Sequence, residues 1–372
     1  MLLKKGKKVS LTINFIIEYF YPEVGGLEKS TERLAVELVR KGHTVNVITT
    51  HSIDGTLKYE LFQGINIFRY TKNYLQEAKD LYSKADINCV FGVGHILASS
   101  VWDDVFAAQK ATFIKIGTSG DMSKFGEHKS VFSRFDAVLC QNEALCAEAL
   151  AVGVSQEKIF KIKNGLDIKQ WDQECMPKDL ARKELGIPVD ATVVSAVGRF
   201  VARKNFPLIL DGCYKYVKKY NDANFVLVIH GGAEGQHDSD EIRIQKKIQE
   251  YSKSFKIIQR SIKDPVACTL SASDLFVTMG EREGAPNIII EALACSLPVV
   301  ASDISGHDVY VGSQNGALIQ FNADSMSEAF NRILSDKELR TRFMTESRNH
   351  SKNFDISITS NLYLEAFYKF RK

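Results

Sequence analysis

Two carboxylates eight residues apart, Glu283 and Glu291, bracket a short turn, Gly284-Ala285-Pro286-Asn287, in a chain of 372 residues. A carboxylate accepts two hydrogen bonds in one plane, which suits the vicinal hydroxyls of a ribose or a hexose. A helix starting in this turn would aim free backbone N–H groups and a positive dipole end at an anion between the two carboxylates. Gly284 and Ala285 leave room for that anion, and each carboxylate is then available to one of two flanking sugars. Earlier in the chain Arg199 and Lys204 follow an apolar strand and precede a helix, the place where an open parallel sheet binds phosphate. Arginine offers a fixed fork there and lysine a point charge. The plain alternative is that all four are solvated loop and helix charges.

The elements that must position these groups can be read from periodicity. Residues 275–278 read as a buried strand and Pro286 as a first helical position, where its missing N–H costs nothing. Ile288, Ile289, Ala292 and Leu293 share the inward face of that helix, Glu291 stands about two turns into it, and residues 298–301 restart as a strand. Residues 192–197 form the strand before Arg199, and 208–216 the helix after Lys204; Arg203 reads as solvent-facing. Strands are also expected at 9–17, 45–49, 65–70, 87–91, 111–116, 137–140, 159–162, 225–229, 256–259 and 317–319. Helices are expected at 27–41, 73–84, 142–152, 265–271, 325–334, 336–349 and from about 356 onward. Residues 169–188 have linker composition. Gly25 and Gly26, between the first strand and the first helix, suit close backbone approach to a ligand, or an ordinary turn; no G-x-G-x-x-G fingerprint accompanies them. His95 follows a strand end beside Gly92 and Gly94, and Ser119 and Asp121 lie in the loop after residues 111–116. His43, beside a turn glycine, reads as structural.

Glu283-Gly284-Ala285-Pro286-Asn287, three aliphatic residues, Glu291-Ala292-Leu293-Ala294 and Leu297-Pro298-Val299-Val300-Ala301-Ser302 resemble the Glu-x7-Glu signature of the retaining glycosyltransferases of family 4, the glycosyl transferases group 1. The resemblance implies an α/β fold of two Rossmann-like doubly wound domains (GT-B) facing each other across a cleft. Residues 1–170 with the C-terminal helix 355–372 crossing back would form the first, acceptor-side domain, and residues 171–354 the second, which holds the nucleotide sugar. It further implies a catalytic set of Glu283, orienting the sugar hydroxyls, with Arg199 and Lys204 clamping the diphosphate. Glu291 would grip the ribose, and the loop at Ile262 would meet the nucleotide base mainly through backbone atoms. Gly284, Ala285, Pro286, Asn287, Gly25, Gly26, Ser119, Asp121 and His95 complete the expected donor-binding set. Two positions depart from the family pattern: Ser119 stands where many members have a histidine, and Asp308 where the turn usually ends in Glu.

The implied activity is transfer of a sugar, with retention, from a nucleoside-diphosphate donor to a hydroxyl of a glycan or lipid-linked acceptor, in cell-surface polysaccharide, lipopolysaccharide or glycolipid synthesis. A UDP-sugar is the first expectation and a GDP-sugar the second. No cofactor and no metal are expected, since no aspartate pair suited to a metal-bridged diphosphate is evident. Two rivals stay open at this point. An epimerase or an inverting transferase on the same architecture would want a base such as His95 or Asp121, and Ser119 makes a non-catalytic nucleotide-sugar-binding module conceivable.

Composition narrows the field. Forty-eight basic against 45 acidic residues leave +3, which is no nucleic-acid signature. Seven cysteines without a C-x-x-C pair argue against a disulfide framework or a zinc site and for a reducing cytoplasm. No apolar run approaches the ~18–20 residues that span a bilayer, and the N-terminal basic-then-apolar stretch, interrupted by Glu18, reads as a first strand. Peripheral contact with the inner face of a membrane stays open: Lys369, Arg371 and Lys372 could meet anionic lipid, or form a solvated helix end.

Overall fold

Strands that are apolar on both sides must be covered by helices on both faces, and such sheets are parallel. The chain builds two of them. A computed structural model describes residues 9–23, 25–50, 56–70, 77–92, 102–118, 120, 122, 130–232 and 240–372. The chain divides into one unit of residues 1–165 with 356–372 and a second of residues 166–355.

In the first unit, β1 (Thr12–Ile17), β2 (Thr44–Thr50), β3 (Tyr59–Phe62), β4 (Ile65–Tyr70), β5 (Ile87–Phe91), β6 (Ala111–Lys115), β7 (Ala137–Cys140) and β8 (Ile159–Lys161) lie in the order β3-β4-β2-β1-β5-β6-β7-β8. Every pairing is parallel except that of the edge strand β3 with β4. In the second, β9 (Thr192–Arg199), β10 (Phe225–Gly232), β11 (Lys256–Ser261), β12 (Leu275–Thr278), β13 (Val299–Ser302) and β14 (Gly316–Ile319) run parallel in the order β11-β10-β9-β12-β13-β14. Both orders reverse direction once, at β1/β5 and at β9/β12, so each sheet is doubly wound. In the second unit the helices Phe206–Tyr220, Glu241–Tyr251 and Ala323–Ser335 pack into the apolar cluster on one face. The helices Ile168–Glu174, Val266–Ala272 and Asn287–Ala294 contribute to the cluster on the other.

The stretch read as a linker is helical. Asp167 caps the helix Ile168–Glu174 by accepting from the Gln170 N–H at 2.9 Å, and a second helix spans Lys178–Glu184. Trp171 is buried in the second unit's core; burial of one large side chain outweighs a weak local pattern. The helix Ile356–Phe370 packs Tyr363, Leu364, Ala366 and Phe367 into the first unit's core, with the Phe113 and Phe367 rings 4.8 Å apart. Its basic end is engaged within that unit: Arg371 pairs with Asp86 at 3.0 Å, Lys372 with Asp136 at 3.2 Å, and Lys369 lies over Phe160 at 4.9 Å. His43 is structural, accepting from the Leu11 N–H at 3.1 Å.

Periodicity also missed a polar ladder inside the first sheet. Asn66, Asn46, Asn14 and Asn88 stand in register on β4, β2, β1 and β5. Their amides pass hydrogen bonds along the row: Asn66 to Asn46 at 3.0 Å, Asn46 to Asn14 at 2.9 Å and Asn14 to Asn88 at 2.9 Å. Asn14 and Asn88 are fully buried, so any slip in register would strand their polar atoms away from water. Replacing Asn14 by Val should therefore cost about 2–4 kcal/mol, since the Asn46 donor and the Asn88 acceptor both lose their partner. The same change at half-buried Asn66, at the edge of the ladder, should cost less than about 1 kcal/mol; urea denaturation of the two variants measures the difference.

Candidate functional site

The strand order reverses between β9 and β12, the place where open α/β sheets bind ligands at the carboxyl ends of their strands, and the residues there come from the two segments that leave these strands. β9 ends at Arg199, half-buried and in register with Gly232 of β10. The chain then makes a single 3-10 turn, Ala202–Lys204, and enters the helix Phe206–Tyr220 through Asn205, whose left-handed backbone (φ 52°) suits asparagine. β12 is followed by the loop carrying Glu283. Cross-bonds hold the two segments together: the Glu281 N–H donates to the Arg203 carbonyl at 3.0 Å, and Asn205 Nδ2 donates to the Met279 carbonyl and to Glu281 Oε1, both at 3.1 Å.

Glu283 is the centre of this junction. Only 9% exposed, its Oε1 accepts from Lys204 Nζ at 2.5 Å and from Arg203 Nη1 at 3.3 Å. Burial pushes the Glu283 pKa up, but the Lys204 ammonium and the Arg203 guanidinium pull it down further, and the carboxyl is held below the usual glutamate range. A charge this buried is stable only with such partners. Arg203, read from the sequence as solvent-facing, is thus a site residue. The signal that would have found it is its place in the turn directly beside Lys204.

The remaining expected residues fall as follows. The helix Asn287–Ala294 begins one residue later than expected, with Pro286 in extended backbone just before it. Glu291, 7% exposed, is just past the first turn of this helix and not two turns in, since it stands only four residues after Asn287. Ile290, not Ile288, completes the buried face with Ile289, Ala292 and Leu293. Gly284 is buried, and Ala285 packs its methyl into the apolar cluster with Trp171 and Ile289. Gly306 (φ 109°) lets the turn after β13 lie against this stretch: a Cβ there would stand 2.6 Å from the Glu283 carbonyl oxygen and 2.9 Å from that of Gly284. Ile262 lies in the turn after β11, beside Gly232, where a Cβ would meet its Cγ2 at 4.0 Å. It therefore borders the end of β10, next to Arg199 in register. Arg260 and Ser261, read as loop, extend β11.

In the first unit, Gly25 is the extended residue before the helix Gly26–Arg40 that follows β1, and a Cβ on Gly26 would meet nothing within 4 Å. His95, Ser119 and Asp121 lie outside the described residues. All seven cysteines are free thiols, and Cys175 and Cys295, distant in sequence, stand with their Sγ atoms 3.3 Å apart.

Comparison with known proteins bears on this second, doubly wound unit first. Residues 177–350, which lie within the second unit, match the family described as glycosyl transferases group 1. One relative is the UDP-Gal:alpha-D-GlcNAc-diphosphoundecaprenol alpha-1,3-galactosyltransferase of Escherichia coli, 30% identical over 208 residues, which are 54% of this chain and 50% of that protein. Another is the alpha-maltose-1-phosphate synthase of Mycolicibacterium smegmatis, 23% identical over 67% of this chain and 66% of that protein. A third is the lipopolysaccharide core biosynthesis glycosyltransferase LpsE of Rhizobium meliloti, 28% identical over 59% and 61%. The chain thus spans about half to two thirds of the length of these relatives. Among solved structures, HepE of Anabaena in complex with UDP and glucose superposes with a TM-score of 0.79 at 17% identity, over 96% of this chain and 99% of that one. Sucrose-phosphate synthase of Thermosynechococcus elongatus gives 0.77 at 18%, over 96% and 98%. The fold class is therefore GT-B, two doubly wound α/β units.

The lowered pKa of Glu283 links it to stability. A depressed carboxyl stabilises the fold above its unfolded value of about 4.3 and loses that contribution as pH falls through the folded value. Glu283→Gln should accordingly be less stable than the parent at pH 7, with the gap closing as pH drops below about 4. Lys204→Met should cost about 2 kcal/mol at pH 7, since Arg203 remains to share the buried charge. Denaturation midpoints followed against pH test both.

Proposed function

We propose that the protein is a glycosyltransferase that moves a hexose, with retention of configuration, from a nucleoside-diphosphate donor to a hydroxyl acceptor. The observation that carries this reading is the convergence of Lys204, Arg203 and buried Glu283 at the reversal of the second sheet. Arg199 closes β9 beside them, and the helix Asn287–Ala294 begins four residues after Glu283. The family match over residues 177–350 supports the same chemistry. So do the relatives whose names specify a UDP-galactose donor and lipopolysaccharide synthesis. A UDP-sugar is the donor this reading favours, with a glycan or lipid-linked acceptor.

In the reaction the bond between the anomeric carbon and the diphosphate oxygen breaks, and its electron pair leaves with the diphosphate. A new bond forms from the acceptor oxygen on the same face, and the acceptor's proton passes to the departing phosphate oxygen. Arg199, Lys204 and the helix start stabilise the charge that grows on that oxygen, the largest kind of contribution a preorganised site makes. Glu283 orients the sugar hydroxyls while its charge is balanced by Lys204 and Arg203, and Glu291 holds the ribose. Catalysis needs no metal in this scheme, because the cationic groups take the part a divalent ion would play. No helix among the described residues is long and apolar enough to cross a membrane.

Incubating the protein with UDP-hexoses and candidate acceptors should give a product with the anomeric configuration of the donor, unaffected by EDTA. Lys204→Ala and Glu283→Ala should each lower kcat by about a hundredfold or more. An inverted product would favour an inverting transferase. Full activity in either variant, or its loss on chelation, would contradict the assignment.

A further inference from the structure

His307 takes no part in the scheme above, yet it is buried beside the Glu283 junction with no exposed surface. Its Nδ1 lies 3.0 Å from the Ser302 carbonyl oxygen, which can only accept, so Nδ1 bears the proton. The same N–H is shared with Ser302 Oγ at 3.1 Å, and that hydroxyl donates to the Gly280 carbonyl at 2.6 Å. Gly280 is three residues before Glu283, and the neighbouring Gly306 abuts the Glu283 and Gly284 carbonyls. His307 therefore reaches the Glu283 loop through Ser302 and Gly280, while its neighbour Gly306 lies against the loop's other end. Its other nitrogen, Nε2, is buried and has no hydrogen-bond partner among the described residues.

We propose that His307 is a positioning residue, which in its neutral Nδ1–H form fixes the Glu283 loop through Ser302, and which on protonation at Nε2 draws Glu283 away from Lys204. A new Nε2–H must find an acceptor inside the protein, where an unpaired donor is costly. The charged groups that act on His307 are Glu283 from the loop after β12, Lys204 from the turn after β9, and Asp308 beside it. Of these the Glu283 carboxylate already serves the Lys204 ammonium, so a second cation competes for it. At neutral pH competition is absent: burial lowers the His307 pKa first, Lys204 adds to this, and the attraction of Glu283, Asp308 and the Ser302 carbonyl does not restore it to the usual histidine value. The role rests on the glycosyl-transfer reading only in that Glu283 is the group being positioned.

The test compares turnover of UDP-glucose against pH in the parent, His307→Asn and His307→Leu, with a histidine ¹⁵N spectrum of the full chain. The parent kcat/KM should fall on the acid side with one proton. His307→Asn, whose amide can donate to Ser302 but does not titrate there, should lack that limb. His307→Leu should lose about ten- to a hundredfold in kcat/KM, the cost of a misplaced reacting group, and His307→Asn should recover most of it. An acid limb that persists in His307→Asn, or a folded His307→Leu as active as the parent, overturns the proposal. The spectrum decides independently of turnover. The His307 signal, identified by its absence from His307→Asn, should show the Nδ1–H tautomer, and Glu283→Gln should lower its titration midpoint further. A proton on Nε2, or a midpoint that Glu283→Gln leaves unmoved, overturns the proposal even if no UDP-glucose is consumed; absence of turnover alone would count against glycosyl transfer.

Discussion

One buried carboxylate constrains the second unit more than any other group. Glu283 lies almost out of water, and an uncompensated charge there would cost several kcal/mol, so the chain must bring cations to it. Lys204 and Arg203 arrive on a turn that leaves a different strand. The pairing therefore fixes the segment after β9 against the segment after β12, and the backbone bonds from Glu281 and Asn205 secure the same junction. A structural ion pair and a candidate reaction centre are here one arrangement.

That arrangement has a chemical consequence. Without a ligand, Lys204 is held by Glu283 in place, with its charge balanced and its rotamer set. On the proposed reading, a diphosphate would not have to order a free lysine but would join a cation already positioned, which reduces the entropy lost on binding. The helix Asn287–Ala294 begins four residues after Glu283. Around this junction the packing is close. Gly231 of β10 lies so near Gly198 of β9 that a Cβ would stand 2.1 Å from the Gly198 carbonyl, and Gly306 presses the turn after β13 onto Glu283 and Gly284. Small residues thus let three loops crowd around the charged group.

Much of this was legible in the sequence. Continuous apolar runs located most strands, because strands covered on both faces have little choice of side chain. The spacing of Glu283 and Glu291 around a glycine-proline turn picked out the segment after β12, and Lys204, picked out after β9, is a partner that the structure brings to Glu283. Where the reading failed, a long-range contact had overruled a local signal. Residues 169–188 fold into helices because Trp171 finds a core made by residues far along the chain. Arg203 faces Glu283 because the turn Ala202–Lys204 sets its direction, which composition does not encode. The asparagine ladder looked like scattered polar residues until register aligned it.

The sequence by itself determined the elements, their alternation and the residue types available for chemistry, since these follow from local sterics and from the period of burial. Only the tertiary structure decided which charges meet. Lys204 and Glu283 are far apart in the chain, and nothing in either segment announces the other. They touch because the strand order reverses between β9 and β12, so that two loops leave adjacent strands at the same edge. Which strands become neighbours is settled by the packing of the whole sheet against its helices, a property of the assembled core that no short window of residues contains.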